Sequence, residues 1–254
     1  MVAVIEIVIG DVHARAEVLN GLLVSLGVLD PRGRRRDGFW IVQVGDLLDR
    51  RARPEANLKT ARLAVDAVDV VLAGNHEVDL LPGNGTPHGA ALATLAGRGW
   101  PQAAAEVGGW VVTHAGIHPE LTHGLSAHAG ECVAEINDRW HRRSTQRAAD
   151  PLFDWVGPAR GGMAPYGGVF WGARSEWPPG RRTPWGQIYG HMPQSRPRLL
   201  PGPRWLIDLA DESQLAALVR ERRDGVWEPT VVTVSPRGVT VARPRRKQRR
   251  AVTV

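Results

Sequence analysis

The sequence predicts an α/β fold of four layers, two packed mixed β-sheets flanked by helices. Two observations carry this. Five apolar runs, VIEIVI, FWIVQV, VVLA, GWVV and GQIY, read as buried strands, and amphipathic helical stretches separate the first four. Further strand-like runs follow towards the C-terminus. Two sheets that bury one face against each other need helices to cover their outer faces.

Taken in order, the chain reads as strand 2–9, helix 16–27, strand 39–44, helix 54–67, strand 69–73, helix 88–97 and strand 109–113, a βαβαβαβ run. Val18, Leu19, Leu22, Leu23 and Leu26 form a core stripe on the first helix. A helix over 127–148 follows, because Cys132, Val133, Ile136 and Trp140 recur at helical spacing; Cys132 is then a core residue rather than a nucleophile. Strands at 186–190, 204–208, 230–235 and 238–242 read as the second, largely antiparallel sheet.

Residues 151–185 have a different texture, dense in Pro and Gly with Trp155, Trp171, Trp177 and Trp185 interspersed. Inside a compact domain so long an insertion is expected to be ordered and functional, and this one precedes the GHMP segment. Its tryptophans read as packing groups before they read as plates for a nucleobase. The organisation expected is one domain over 1–242 that carries this insertion, then a basic tail over 243–254.

Composition narrows the function classes. Apolar residues make up 43% of 254, but no apolar run reaches membrane-spanning length, so no membrane role is expected. One cysteine excludes an internal disulfide, and the N-terminus MVAVIEIVIGD lacks a signal-peptide pattern, so the cytoplasm is the expected compartment. The net charge of +6 equals the six basic residues of the tail, Arg243, Arg245, Arg246, Lys247, Arg249 and Arg250, which no acid accompanies. The rest is formally neutral, so no nucleic-acid role is expected beyond weak contact through a solvated, disordered tail. The RGRRR segment at 32–36 reads as an exposed loop, and His88, His118, His123, His128 and His141 as surface or capping histidines, with His118 and His123 near enough to THAG to support it.

Just beyond the five strands stand GDVH (10–13), GDLLDR (45–50), GNHE (74–77), THAG (113–116) and GHMP (190–193). Polar groups at the C-terminal ends of sheet strands occupy the ligand-binding edge of α/β folds. The donors delivered there are Asp11, His13, Asp46, Asn75, His114 and His191, oxygen and imidazole groups without a thiolate. That set suits divalent cations. Six donors exceed what one ion of the zinc type takes, whereas two ions about 3.5–4 Å apart sharing a carboxylate would use them all.

In this order the motifs closely resemble the calcineurin-like metallophosphoesterase superfamily over roughly residues 2–210. The match is to its phosphoprotein-phosphatase branch, and THAGIHP is also similar to the related bacterial dinucleoside-tetraphosphate hydrolases. The resemblance implies that Asp11, His13 and Asp46 hold one metal ion and Asp46, Asn75, His114 and His191 a second, with Asp46 bridging. It implies His76 as the acid, Asp49 as the carboxylate that orients it, and Arg50 as a phosphate clamp, a task suited to a planar fork of constant charge. WGAR (171–174) is similar to a Trp-x-Arg segment of bacterial members, which makes Arg174 a second phosphate contact. Ala14, Arg51 and Met192 stand where the family has Gly, Gly and Thr.

The implied activity is hydrolysis of phosphomonoesters, of the phosphoserine/threonine protein phosphatase type, by in-line attack of a metal-bridging hydroxide. The cofactors implied are two divalent ions, manganese by family, with iron, zinc or magnesium compatible with the same donors. Hydrolysis of dinucleoside polyphosphates is the alternative, and both readings name a phosphorylated protein or small phosphoester as partner. A non-catalytic polyanion-binding protein is disfavoured by the intact donor set and the His76–Asp49 pair.

Deleting residues 244–254 is expected to leave hydrolysis of a small phosphomonoester unchanged while weakening salt-sensitive polyanion binding. Turnover and heparin retention of the truncated protein against salt check this; a large loss of turnover in a folded variant would place the tail in the active site.

Overall fold

The computed structural model describes residues 4–80, 87–97, 99, 102–221 and 229–242. The tail over 243–254 and the first residues of strand 2–9 lie outside these. The first half follows the expected alternation: β1 (Ile5–Ile9), α1 (Ala16–Ser25), β2 (Phe39–Gln43), α2 (Pro54–Ala67), β3 (Val70–Val71), α3 (Asn75–Leu80) and α4 (Gly89–Ala96). Then come β4 (Ala104–Val107), β5 (Trp110–Thr113), α5 (Ala129–Gln146), α6 (Pro151–Asp154), β6 (Gly186–Tyr189), β7 (Arg198–Leu200), β8 (Arg204–Leu206), β9 (Leu215–Glu221), β10 (Thr230–Ser235) and β11 (Gly238–Ala242).

These strands form two mixed sheets, of order β11-β10-β9-β1-β2-β3 and β4-β5-β6-β8-β7. In the first, β1, β2 and β3 run parallel and β9 pairs antiparallel to β1, with Ile7 opposite Val219. In the second, β5, β6 and β8 run parallel and β4 and β7 form antiparallel edges. Strand alternation divides the core. Ile7 and Ile9 of β1 pack with Leu19, Leu22 and Leu23 of α1, whereas Val8 packs with Val42, Val112, Ile188 and Leu218 between the sheets. At the end of that inter-sheet layer away from the motifs, Glu6 is buried in an ion pair with Arg220, 2.6 Å apart.

The sheet membership expected from sequence needs correcting. β10 and β11 join the first sheet, through β9, and β5 belongs to the second. β9 itself escaped detection because LAALVRE is made of good helix formers and is buried on both faces, which hides the two-residue period. β4, with the sequence AAEV, carries no β-branched run either. The Cys132 expectation holds: the thiol is fully buried and burial pushes it up to about 12.

All six parallel strands point their C-terminal ends at one rim. Asp11 and His13 follow β1, Asp46 follows β2, Asn75 and His76 follow β3, His114 follows β5, His191 follows β6 and Asp208 follows β8. Buried glutamines fasten the turns there. Gln43 binds Gly45 through both amide atoms and reaches the Gly10 carbonyl, while Gln187 holds Ile117 by its N–H (2.8 Å) and C=O (3.1 Å).

On the outer face of the second sheet, Trp140 of α5 meets Phe153 at 5.2 Å and Phe170 at 5.0 Å between ring centroids. It ties the 151–185 segment to the domain. Trp140→Ala is expected to cost about 3–5 kcal/mol, read as a lower denaturation midpoint; a loss under about 1 kcal/mol would mean that the insertion is held elsewhere.

Candidate metal centre

The turns that deliver the donors are strained. Of the five non-glycine residues with positive φ among those described, four lie here: His13 (49°), Ala14 (59°), Asp46 (51°) and His191 (64°). Each costs about 1–2 kcal/mol in that region. Ala14 stands where the family has Gly, so this chain keeps the conformation without the residue that adopts it freely. Paired main-chain bonds hold the turns: Val12 and His13 N–H both donate to the Asp46 carbonyl, and Ala14 N–H to that of Leu47. Two glycines make room for the carboxylates, since a Cβ at Gly74 would collide with Asp46 Oδ1 and one at Gly190 with Asp11 Oδ1.

Asp46, 2% exposed, sits between two groups of donors, His13–Asp46–His76 and Asp46–His114–His191, in each of which the nearest N and O atoms lie within 4.8 Å of one another. Its main-chain N–H donates to Glu77 Oε2 (2.9 Å), and its Oδ1 accepts from His76 N–H (3.0 Å). Asn75 joins the second group, with Oδ1 3.0 Å from His114 Nε2. Asp11 accepts His191 N–H through Oδ2 (2.9 Å), and among the described residues its buried Oδ1 has no hydrogen-bond partner; neither has His191 Nε2.

These residues fit a cation, as His114 shows. Its Nδ1 lies 3.2 Å from the Val44 carbonyl, which can only accept, so Nδ1 carries the proton. Burial, and next the neighbouring His191, push the imidazole well below its ordinary pKa, so it is neutral and Nε2 is a bare lone pair. That lone pair faces Asn75 Oδ1 at 3.0 Å, His191 Nδ1 at 3.0 Å and Asp46 Oδ1 at 3.5 Å. The two oxygens can only accept, and oxygens converging on a lone pair repel it unless a positive ion lies among them.

His76 flanks this cluster, its Nε2 3.9 Å from Asp46 Oδ2 and its ring 5.0 Å from that of His13. Its Nδ1 is 3.2 Å from Asp49 Oδ1, ion-pair distance though outside hydrogen-bond alignment, so the structure brings the expected pair together. Asp49 is clamped in turn by Asn57, which accepts its N–H (2.9 Å) and donates to its C=O (2.8 Å), and Asn57 Nδ2 lies 2.8 Å from His88 Nδ1. His88 is therefore a buried part of the scaffold rather than a surface histidine, whereas His118, also buried, caps the helical turn at Pro119–Thr122 as expected, its Nδ1 accepting the Glu120 N–H (3.2 Å). His118 stacks on Tyr166 at 3.8 Å, and His123 is exposed. Arg51, in place of Gly, keeps a negative φ and donates its N–H to Asp49 Oδ1 (2.8 Å).

Both arginines read from sequence lie at the rim. Arg50 is in an ion pair with Asp79, and Arg174 is exposed, its main-chain N–H donating to Met192 Sδ at 2.9 Å. Three further groups were missed. Glu77 accepts the N–H groups of Asp46, Leu48 (2.7 Å) and Gly74 (2.8 Å). Arg160, in the insertion, donates to the His191 carbonyl (3.1 Å). Asp208, 3% exposed, places a carboxylate oxygen within 4.8 Å of the nearest donors of Asp11 and His13. Its signal was legible: WLI before Asp repeats the pattern of an apolar strand followed by a donor.

Electrostatics here are dominated by burial. It drives Asp11 and Asp46 well above the carboxylate range, Glu77 to about 7 against the pull of its three N–H donors, and Asp208 to about 7 against Arg15 and Arg160. Burial takes His13 down to about 4 and His191 to about 3.

Comparisons agree with this geometry. Residues 7–222 match the family model described as calcineurin-like phosphoesterase. Among solved structures, the chain superposes on a cold-active protein-tyrosine phosphatase of a psychrophilic Shewanella species with a TM-score of 0.57 at 17% identity, covering 95% of this chain and 80% of that one. It also superposes on a candidate diadenosine tetraphosphatase with a TM-score of 0.51 at 15% identity, covering 95% and 94%. At such identities the likeness is one of fold. Comparison with curated proteins gives no significant match.

Stability should depend on pH in opposite ways with and without metal. Above about pH 7.5 the histidines are neutral folded and nearly so unfolded, so the buried carboxyls decide the trend: Glu77 and Asp208, raised to about 7, and Asp11 and Asp46, raised well above the carboxylate range. A carboxyl whose folded pKa is raised stabilises the fold at low pH, and this is lost as pH rises through the folded value. The metal-free protein should therefore lose melting temperature as pH rises above about 7.5. The manganese-loaded protein should not, because ligands bind metal in their deprotonated form. Parallel melting curves with and without chelator check this; a metal-free protein that gains stability over that range would refute it.

Proposed function

We propose that this chain, which belongs to the calcineurin-like phosphoesterase family and is a hydrolase of phosphoester bonds, acts on phosphomonoesters, with phosphoserine and phosphothreonine as the substrate class and two manganese ions as cofactor. Asp11, His13 and Asp46 would hold one ion, and Asp46, Asn75, His114 and His191 the other. When bound, the ions supply Lewis acidity towards the phosphoryl group and make water more acidic. The single cysteine supports a reducing, cytoplasmic setting.

The observation that carries the substrate class is His76. Its imidazole stands at the edge of the donor cluster with Asp49 behind Nδ1 at 3.2 Å, which leaves Nε2 to face the site. A proton at Nε2 is of use to a leaving group that departs as a strong base. Serine and threonine alkoxides are such groups; the phosphates released from a dinucleoside polyphosphate are not. Burial pushes His76 below its ordinary pKa, and Asp49 opposes this by favouring the charged form while keeping the ring oriented; the Asn57 clamp fixes Asp49. Arg50 would exchange Asp79 for phosphate oxygens, and Arg174 would add a second contact to them.

The dinucleotide alternative needs free aromatic plates, and three of the insertion's tryptophans are engaged. Trp155 packs on Tyr166 (5.3 Å), Trp177 on Tyr189 (5.9 Å), and Trp185 is 5% exposed. Trp171 alone of the four stands edge-on beside His191, at 6.4 Å.

In manganese, His76→Asn is expected to slow single-turnover hydrolysis of a phosphoserine peptide by about 10²–10⁴ and that of p-nitrophenyl phosphate much less, since p-nitrophenolate leaves without a proton. Asp49→Asn should show the same bias more weakly. Equal losses on both substrates, with metal content unchanged, would withdraw the acid role, and faster wild-type turnover of diadenosine tetraphosphate than of either would favour the alternative.

A further inference from the structure

Asp11 and Asp208 are two buried carboxylates, 2% and 3% exposed, whose nearest oxygens lie within 4.8 Å of each other and of His13. Like charges so placed repel strongly, and burial removes the water that would screen them. Arg15 and Arg160 are near enough to draw Asp208 down, yet among the described residues neither donates a hydrogen bond to either carboxylate. Arg15 spends its guanidinium on the main-chain carbonyls of Asp11, Val12, Glu212 and Gln214, and Arg160 donates to that of His191. Asp11 Oδ2 is taken by His191 N–H, while Oδ1, buried, has no hydrogen-bond partner among the described residues. One main-chain N–H on each carboxylate, from His191 and Leu209, leaves Asp11 Oδ1 unanswered, and with an imidazole at the third corner this describes a place for a cation.

We infer that Asp208 is a ligand of the first metal ion, alongside Asp11, His13 and Asp46. The inference rests on the two-ion reading above and gives it an asymmetry. The first position then has three carboxylates and one imidazole, the second one carboxylate, one amide oxygen and two imidazoles. Oxygen-rich sites favour hard cations such as manganese and magnesium, whereas nitrogen-rich sites accept zinc and iron as readily. The two positions would thus fill with different preference.

Titration of the full chain with Mn²⁺ tests this. Wild type should bind two ions. Asp208→Asn should bind one of them at least about tenfold more weakly, the lower end of what losing even an outer partner of a ligand costs, and keep the other. Metal-free Asp208→Asn should melt at or above the wild-type temperature, because one of two crowded charges is gone, and should gain less on adding Mn²⁺. Asp208→Cys with Cd²⁺ should show a thiolate-to-metal absorption absent from wild type, whose Cys132 is buried; a residue with only a structural role would give none. Two Mn²⁺ bound at wild-type affinity by Asp208→Asn, or Cd²⁺ bound by Asp208→Cys without that absorption, would overturn the inference alone. A wild type that binds fewer than two ions would overturn the two-ion reading and this inference together.

Discussion

The carboxylate of Glu77 is the joint on which the metal centre depends. It accepts three main-chain N–H groups, those of Asp46 and Leu48 from the turn after β2 and that of Gly74 from the turn after β3. Two separate strand ends thereby become one rigid piece. Asp46 is held in a left-handed conformation it would not adopt in an isolated peptide, and its Oδ1 in turn fixes His76 N–H. Charge-assisted bonds offset part of the cost of burying Glu77. They do not offset all of it, because burial still raises its carboxyl to about 7.

Around that joint the protein concentrates what folding ordinarily avoids: buried carboxylates, lone pairs facing lone pairs, and non-glycine residues at positive φ. Such features persist only where the surroundings over-determine them. Here the surroundings are the buried amides of Gln43, Gln187 and Asn57, each bonded to the main chain of a site turn or of the segment beside it. The donors are therefore positioned before any ion arrives, which lowers the reorganisation that binding requires. With ions bound as proposed, the same crowding would make the metal part of the fold's stability as well as of its chemistry.

The insertion over 151–185 is built as a second rigid layer. Glu176 gathers it by accepting the N–H groups of Ala159 (3.0 Å) and Gly167 (2.8 Å), and the His118–Tyr166 stack and the cation–π contact of Arg204 with Trp177 (4.4 Å) fasten it to the domain. Its tryptophans serve mainly this packing. The outcome is a loop that carries Arg160 to the His191 carbonyl and leaves Met163 fully exposed. A surface of that kind bears on which phosphoesters can approach, while the donors beneath it would be common to all of them.

By itself the sequence determined the local pattern: apolar strands that each end in a donor, and hence the fold class and the residues to be gathered at one rim. Both follow from short-range periodicity and from the residue types that cations and phosphates require. His76 and Asp49 were legible only through the resemblance of GNHE and GDLLDR to the family's motifs. Only the tertiary structure decided which sheet each strand joined. β9 has no strand period of its own and becomes a strand because β1 and β10 bond it from both sides, and it carries β10 and β11 into the first sheet. The structure alone, too, brought Asp208 to Asp11, Arg160 to His191 and His88 to Asn57. Those pairings join segments up to 197 residues apart in number, and no local rule of spacing can express a contact that exists because two sheets close on each other.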